Sequence, residues 1–202
     1  MMILQNKILL LLFAFRIIFD GVLWRTLPLE YAYIYELSVI LLAAWFYRTS
    51  LASLLKPKFN SYTAIVSIAF PLLGLATFRL MSPLGLVFPM DLRDAYMLTI
   101  ALAIAPILEE GLFRFVLWNT FDDLKVKPFF LILLTSLLFS FSHFLSYFYL
   151  TDILQDFILF QTAYTFILSI LLGVVRMRSG SLTICIWAHF LYNLGFVAAY
   201  FL

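Results

Sequence analysis

Seven apolar stretches of bilayer-spanning length constrain the fold of this chain more than any other feature of its sequence. A transmembrane helix needs roughly 17 to 25 predominantly apolar residues. The stretches that satisfy this are Ile8–Trp24, Tyr31–Tyr47, Tyr62–Phe78, Ala95–Trp118, Phe129–Leu150, Phe157–Val175 and Leu182–Leu202. Polar or helix-breaking clusters such as Lys56-Pro57-Lys58 and Arg176-Met177-Arg178-Ser179-Gly180 lie between them, as expected for loops. The sequence therefore predicts an all-α, polytopic membrane helical bundle with about seven transmembrane helices.

The composition agrees with a membrane protein of one domain. Of the 202 residues, 65% are apolar and 12% are charged, whereas a soluble domain is about half apolar and about a quarter charged. We therefore expect a single transmembrane domain over residues 1–202, surrounded by the lipid bilayer. The net charge of +2 does not indicate a nucleic-acid partner. The single cysteine, Cys185, excludes an internal disulfide and a cysteine-based zinc cluster.

Lysine and arginine residues divide unequally between the two sides of the predicted bundle. Three lie on the side opposite the N-terminus, namely Arg25, Arg79 and Arg93. Eight lie on the same side as the N-terminus, namely Lys7, Arg48, Lys56, Lys58, Lys125, Lys127, Arg176 and Arg178. By the positive-inside rule this excess predicts a cytoplasmic N-terminus and, after seven spans, a C-terminus outside the cell membrane. The first stretch lacks an Ala-x-Ala-like cleavage site, so we interpret it as a span rather than a signal peptide.

Two adjacent carboxylates and an arginine interrupt the fourth apolar stretch. An ionised side chain at membrane depth costs about 2.5–3.5 kcal/mol even on insertion scales. Glu110 and Arg114 are four residues apart, so on a helix they share a face and can pair. Glu109 points about 100° away from Glu110 and stays available for another role. A structural ion pair would explain Glu110 and Arg114 but not Glu109, which favours a functional site.

The two histidines of the chain lie in two other apolar stretches. His143 is in the fifth, and His189 is in the seventh, where Asn193 follows on the same helix face. A glutamate near a histidine can deprotonate a water, while a second histidine and an asparagine can donate hydrogen bonds to an oxyanion. That set outlines the hydrolysis of a peptide bond. Glu109, His143 and His189 could instead hold a divalent metal such as zinc, with an open position, and the residue types do not decide between the two.

Other polar residues allow weaker interpretations. Cys185 lies four residues before His189, so a Cys–His nucleophilic pair is an alternative, although a buried cysteine is more often a small hydrophobic residue. Arg16 and Asp20 are also four residues apart, which we interpret as a structural ion pair. Glu36 is expected to extend its carboxylate toward the membrane interface.

Two further features are assigned to the membrane surface. The loop from Arg79 to Asp94 is the longest connection and is long enough for a short interfacial helix. Aromatic residues crowd the ends of the spans and are interpreted as an interfacial belt without a further role. These are Trp24, Tyr31, Tyr33, Tyr35, Trp45, Tyr47, Trp118, Tyr147, Tyr149 and Tyr200.

Three motifs in order resemble those of the CPBP intramembrane proteases, which include the type II CAAX prenyl endopeptidases and the Abi-like proteins. The motifs are Glu-Glu-x-x-x-Arg at Glu109–Arg114, Phe-x-x-x-His at Phe139–His143 and His-x-x-x-Asn at His189–Asn193. Each motif falls in its own apolar stretch, and the resemblance covers the chain from about residue 95 to residue 202. The first three stretches are similar to the family only in being hydrophobic.

The resemblance implies a role for each motif residue. Glu109 would be the general base, His143 would help to hold the attacking water, and Glu110 would support the site through Arg114. His189 and Asn193 would bind the oxyanion. The family resemblance implies a glutamate-type enzyme, with a metal as the alternative. One expectation conflicts with the predicted spans, because His143 lies about 14 residues, or roughly 21 Å, into its span, deeper than Glu109 and His189.

The leading functional hypothesis is an intramembrane endopeptidase that cleaves a membrane-tethered or lipid-modified protein or peptide. A non-catalytic membrane partner, such as an immunity-type protein of the same fold, is a second hypothesis. A small proton-coupled transporter that uses Glu109 and Glu110 as a relay is a third. A transporter predicts a continuous polar path through the other spans, and the first three offer little beyond Arg16 and Asp20.

Overall fold

A computed structural model of the chain describes residues 2–18, 29–57 and 60–202, and every regular element among them is helical. The helices before the first motif are α1 (Met2–Ile18), α2 (Leu29–Phe46), α3 (Arg48–Leu54) and α4 (Ser61–Arg79). The last three are α8 (Pro128–Phe144), α9 (Asp152–Ser179) and α10 (Leu182–Phe201), with a 3₁₀ turn at Leu145–Phe148 after α8. Residues 95–123 form one helical run between these groups, which we call the motif helix.

The motif helix alternates between α and π geometry. It consists of α5 (Ala95–Thr99), a π segment (Ile100–Ile104), α6 (Ala105–Glu110), a second π segment (Gly111–Leu117) and α7 (Trp118–Asp123). Glu109 and Glu110 therefore end the short α segment that the two π segments enclose. Single π turns inside helices are rare and occur often at functional sites.

Four helices in the described part of the chain are long and apolar enough to cross a bilayer. They are Ser61–Arg79, Pro128–Phe148, Asp152–Ser179 and Leu182–Phe201, and α2 with α3 would make a fifth span that is bent by 106°. The predicted all-α membrane bundle is thus confirmed as an integral membrane protein, but the count of seven spans is not confirmed. The predicted first span, Ile8–Trp24, lies partly outside the described residues.

Polar residues in the connections fix where several helices begin. Asn60 accepts a hydrogen bond from the Thr63 backbone N–H, and the Thr63 hydroxyl accepts one in return from the Asn60 backbone, which is a capping box before α4. Asp94 caps the motif helix, and Ser181 caps α10. Gly180 ends α9 with a φ of 63°, a left-handed conformation that glycine adopts without strain.

The crossing of α4 and α10 depends on two glycines. A Cβ atom at Gly74 would overlap the backbone carbonyl of Tyr192, and one at Gly195 would overlap that of Pro71. Small residues let two membrane helices approach closely, which increases their packing contacts. This close crossing anchors α10, the helix that carries His189 and Asn193.

Three surface assignments made from the sequence are wrong. Residues 80–94 form turns and contain no interfacial helix. Within this segment, Asp91 accepts hydrogen bonds from the Arg93 backbone N–H and the Tyr200 hydroxyl, and these bonds lower the pKa of the Asp91 carboxyl. Arg176 is not in a loop, because α9 continues to Ser179 and the Arg176 side chain is buried. Trp118 is not at the interface either; it is buried, with the Arg176 guanidinium 5.7 Å from its ring centre.

Candidate active site

A cavity of about 260 Å³ lies between the motif helix, α8, α9 and α10, and four of the sequence-predicted site residues line it. They are Glu109, His143, His189 and Asn193, and they come from three different helices. The cavity is well above the roughly 10–15 Å³ that a single water needs. The structure therefore brings together the polar groups of all three motifs in one space inside an apolar bundle.

His143 faces this cavity from the C-terminal end of α8. Its Nδ1 lies 3.0 Å from the backbone carbonyl of Phe139, and because a carbonyl can only accept, Nδ1 carries the proton. Nε2 then points to Glu109, whose Oε1 is 4.0 Å away. In the neutral imidazole this nitrogen is a proton acceptor.

The depth conflict between His143 and Glu109 disappears because the motif helix is longer than predicted. It runs to Asp123, five residues beyond Trp118, so Glu109 lies 14 residues from its cytoplasmic-side end in the predicted topology. His143 lies 15 residues from the start of α8 at Pro128. At about 1.5 Å per residue both side chains are then roughly 20 Å from the same side of the bundle.

His189 connects the two glutamates. Its Nδ1 lies 2.9 Å from Glu110 Oε1, and its Nε2 lies 3.7 Å from Glu109 Oε2. The side chain of His189 is 4% exposed, whereas that of Glu109 is 21% exposed. Glu109 is thus the carboxylate that the cavity reaches, and Glu110 lies behind the imidazole.

Glu110 is held by a buried arginine. Arg114 Nε lies 3.3 Å from Glu110 Oε2, and neither side chain has any exposed surface. The Arg114 Nη2 donates to both the hydroxyl and the backbone carbonyl of Ser169 on α9, at 2.6 and 2.9 Å. The guanidinium also lies 5.0 Å from the ring centre of Phe139. A row of contacts therefore runs from Ser169 through Arg114, Glu110 and His189 to Glu109.

Asn193 reaches back to the motif helix. Its Nδ2 donates a hydrogen bond of 2.8 Å to the backbone carbonyl of Ala101, in the first π segment. A carboxamide nitrogen carries two hydrogens, so a second N–H remains for the cavity that Asn193 lines.

The residues suggested as zinc ligands lie slightly farther apart than the ligands of a bound zinc ion do. Tetrahedral zinc ligands at about 2.0–2.2 Å from the metal lie about 3.3–3.6 Å from one another. Glu109 is 4.0 Å from His143 and 3.7 Å from His189. Among the residues that the structure describes, no three His, Cys, Asp or Glu side chains are grouped so that they could hold a metal ion.

Comparison of the chain with known protein families gives a match over its second half. The family model described as type II CAAX prenyl endopeptidase Rce1-like matches residues 91–195, just over half of the chain. The chain belongs to this family. It is accordingly a membrane-embedded protease of the CAAX type, as the motif resemblance indicates. Comparisons with the curated proteins and with the solved structures give no match.

The family match covers the whole cavity wall formed by the three motifs. It begins in the turns before the motif helix and ends two residues after Asn193. Helices α1 to α4 precede it, yet two of them also reach the cavity, which is lined in part by Arg16 from α1 and by Tyr33 and Glu36 from α2. Helices α1 and α2 therefore contribute to the cavity wall.

The prediction for Glu36 is wrong. Its side chain is buried rather than extended to the interface, and Arg16 donates to its Oε1 from Nε at 2.7 Å and contacts the same oxygen from Nη2 at 2.6 Å. The proposed partner of Arg16, Asp20, lies outside the described residues. Tyr33 was assigned to the aromatic belt, but it lines the cavity beside Glu109.

Three site residues on α9 were missed by the sequence reasoning. Gln161 and Thr165 line the cavity, and Ser169 binds Arg114. They are spaced four residues apart in an apolar helix, so they form one polar stripe. That spacing is a signal in the sequence that the motif search did not use.

Cys185 is separated from the cavity. It has no exposed surface, and its thiol lies 3.3 Å from the Ser181 carbonyl and 3.9 Å from the Leu172 carbonyl. Although it is four residues before His189, it does not line the cavity. The geometry favours a small core residue over a nucleophile.

Proposed function

We propose that the protein hydrolyses a peptide bond within the membrane by means of a water that Glu109 activates. The observation that carries this proposal is the convergence of two imidazole nitrogens on one accessible carboxylate. His143 Nε2 and His189 Nε2 lie 4.0 and 3.7 Å from the two oxygens of Glu109. A water that donates to two acceptors at about 2.8 Å each spans about 4.5 Å between them, which is close to the 4.0 Å between Glu109 Oε1 and the acceptor nitrogen of His143.

The first chemical step is attack by that water. Glu109 takes one proton while the water oxygen forms a bond to the substrate carbonyl carbon, and the carbonyl π electrons move to its oxygen. His143 holds the water through Nε2, because its Nδ1 is bonded to Phe139. When the C–N bond breaks, the proton on Glu109 passes to the leaving amine, so that water and peptide bond become an acid and an amine.

Asn193 and His189 stabilise the negative charge that develops on the carbonyl oxygen. Asn193 offers the N–H that does not bind Ala101. His189 can donate from Nε2 only as the imidazolium, since its Nδ1–H faces Glu110 at 2.9 Å. A carboxylate at that distance is the electrostatic partner that an imidazolium needs.

The substrate class follows from the family and the position of the site. We infer a membrane-tethered protein or peptide with a lipid-modified tail, for which a prenylated C-terminal tail is the first candidate because of the family description. The positive-inside pattern supports a cytoplasmic N-terminus in the cell membrane. Thiol labelling of single cysteines introduced at Lys56 and Lys125 tests this topology, and labelling from opposite faces would contradict it.

The experiment that tests the function uses the purified full chain in lipid vesicles with a fluorescence-quenched, farnesylated tail peptide. Glu109→Gln keeps the shape of the side chain and removes the base, so turnover should fall to background. Asn193→Ala should lower kcat by about 100- to 1,000-fold, the loss found for one oxyanion donor.

The matched control is Glu30→Gln, the same substitution at an exposed carboxylate that binds the Tyr96 hydroxyl at 3.0 Å. It should retain wild-type turnover. If Glu109→Gln cleaves the peptide as fast as this control, Glu109 is not the base. Binding of the peptide without cleavage by the unmodified protein would support the non-catalytic alternative instead.

A further inference from the structure

The first π segment leaves one backbone carbonyl without a donor from its own helix. The Ala105 N–H bonds to the Ile100 carbonyl, five residues earlier, rather than to Ala101 four residues earlier. The next residue in this π register would donate to Ala101, but that residue is Pro106, which has no N–H. The Ala101 carbonyl therefore needs a partner from outside the motif helix.

That partner is Asn193. Its Nδ2 is 2.8 Å from the Ala101 oxygen, and this hydrogen bond fixes the plane of the carboxamide. Both residues line the cavity that holds Glu109. With one N–H committed to Ala101, the second N–H is the donor that Asn193 has left for the cavity that it lines, where the proposed oxyanion would form.

We propose that Pro106 is a positioning residue, which acts through the Ala101 carbonyl to orient Asn193 for binding of the oxyanion. Pro106 is buried and lies three residues before Glu109. Any other residue at this position would supply an N–H that competes with Asn193 for the Ala101 oxygen. The inference rests on the proposed function, since it assumes that Asn193 binds the oxyanion.

The test is a double-mutant cycle with Pro106→Ala and Asn193→Ala, measured with the farnesylated tail peptide in vesicles. Pro106→Ala should lower kcat by about 10- to 100-fold, as a misplaced catalytic group does, with KM unchanged. In the Asn193→Ala protein, the same change should have no further effect on kcat, because the group that it acts through is gone. Pro106→Val adds the same backbone N–H but has a side chain closer in volume to proline. It should lower kcat in the same way as Pro106→Ala.

Stability separates positioning from a structural role. Pro106→Val retains most of the buried side-chain volume, so it should melt close to the wild-type temperature while its kcat falls. Pro128→Ala is the control. Pro128 is the first residue of α8, so the backbone N–H that alanine adds has no carbonyl in a preceding helical turn to bind. It should keep full turnover.

Two results would overturn the inference. One is wild-type kcat in both Pro106 variants. The other is a loss of kcat that persists at the same size in the Asn193→Ala background, which would mean that Pro106 acts elsewhere. Failure of the proposed function would look different, since Glu109→Gln and Asn193→Ala would then keep their activity whatever Pro106 does.

Discussion

Removal of the Arg114 side chain is the most demanding test of how this site is held inside the bundle. Arg114 and Glu110 are both fully buried and 3.3 Å apart. Arg114→Ala leaves the Glu110 carboxylate without its cation and the Ser169 hydroxyl without its donor. Breaking a buried ion pair from one side costs about 3–5 kcal/mol. For a chain of this length that corresponds to a fall in Tm of about 6–20 °C.

The protein carries its own reporter for this measurement. Cys185 is its one cysteine and is fully buried, so a thiol-reactive fluorophore labels the chain only when it unfolds. Arg79→Ala, at an exposed arginine that ends α4, is the control for loss of a positive charge. Its melting curve should coincide with that of the wild type.

A second variant separates charge from packing. The double variant Glu110→Gln with Arg114→Met removes both charges and keeps most of the side-chain volume, and such replacements of buried pairs are often neutral or stabilising. We expect it to melt above Arg114→Ala, but to remain inactive because His189 has lost the carboxylate at its Nδ1. Unchanged melting and full activity in Arg114→Ala would refute the reasoning.

Two further predictions concern residues outside the cavity. Cys185→Ala should keep its activity, because the thiol is buried away from the cavity; a peptide-cleavage assay that shows complete loss would restore the nucleophile interpretation. Gly74→Ala should destabilise the protein by about 1–3 kcal/mol, the cost of overpacking, since its Cβ would overlap the Tyr192 backbone. Gly173→Ala, whose Cβ would have its nearest contact with the Ile132 side chain at 3.0 Å, should lower the Tm less.

The fold class and the grouping of the motif residues could be predicted because placing a polar or charged side chain in the hydrocarbon of a membrane has a large free-energy cost. Glu109, His143 and His189 are each expensive in an apolar span, and the three helices that carry them bring these side chains to a common cavity. The i, i+4 spacing of Glu110 and Arg114 indicated which of the two glutamates would lie beside the arginine. These inferences needed only residue type, helix periodicity and the low polarity of the membrane.

The boundaries and the surface assignments failed because polar and amphipathic side chains were interpreted as exposed. Arg176 was placed in a loop, but its Nε donates to the backbone carbonyl of Arg114 at 3.2 Å, and its guanidinium lies over Trp118. Tyr47 was placed in the belt, but its hydroxyl donates to Asn6 at 3.0 Å. A long polar side chain can find its partners inside a bundle, and composition does not show which ones do.

The π segments were also beyond the sequence reasoning. Hydrophobic periodicity identifies a helix over residues 95–118. It does not distinguish a π-helix, in which each N–H bonds to the carbonyl five residues earlier, from an α-helix, in which it bonds to the carbonyl four residues earlier. Pro106 was the available signal, because a proline inside a helix must leave a carbonyl unpaired or change the register. Here the register changes, and Asn193 satisfies the Ala101 carbonyl.

Ser169 is the missed residue with the clearest consequence. Its hydroxyl accepts from Arg114 Nη2 at 2.6 Å, and a hydrogen bond to a charged group contributes about 1.5–3 kcal/mol. Ser169→Ala should therefore lower the Tm by about 3–12 °C and reduce kcat, because Arg114 holds Glu110 and Glu110 holds His189. Ser136→Ala is the matched control, since the Ser136 hydroxyl is equally buried and has no hydrogen-bond partner among the described residues. Equal melting and equal turnover in the two serine variants would show that the Ser169 hydroxyl does not support the site through Arg114.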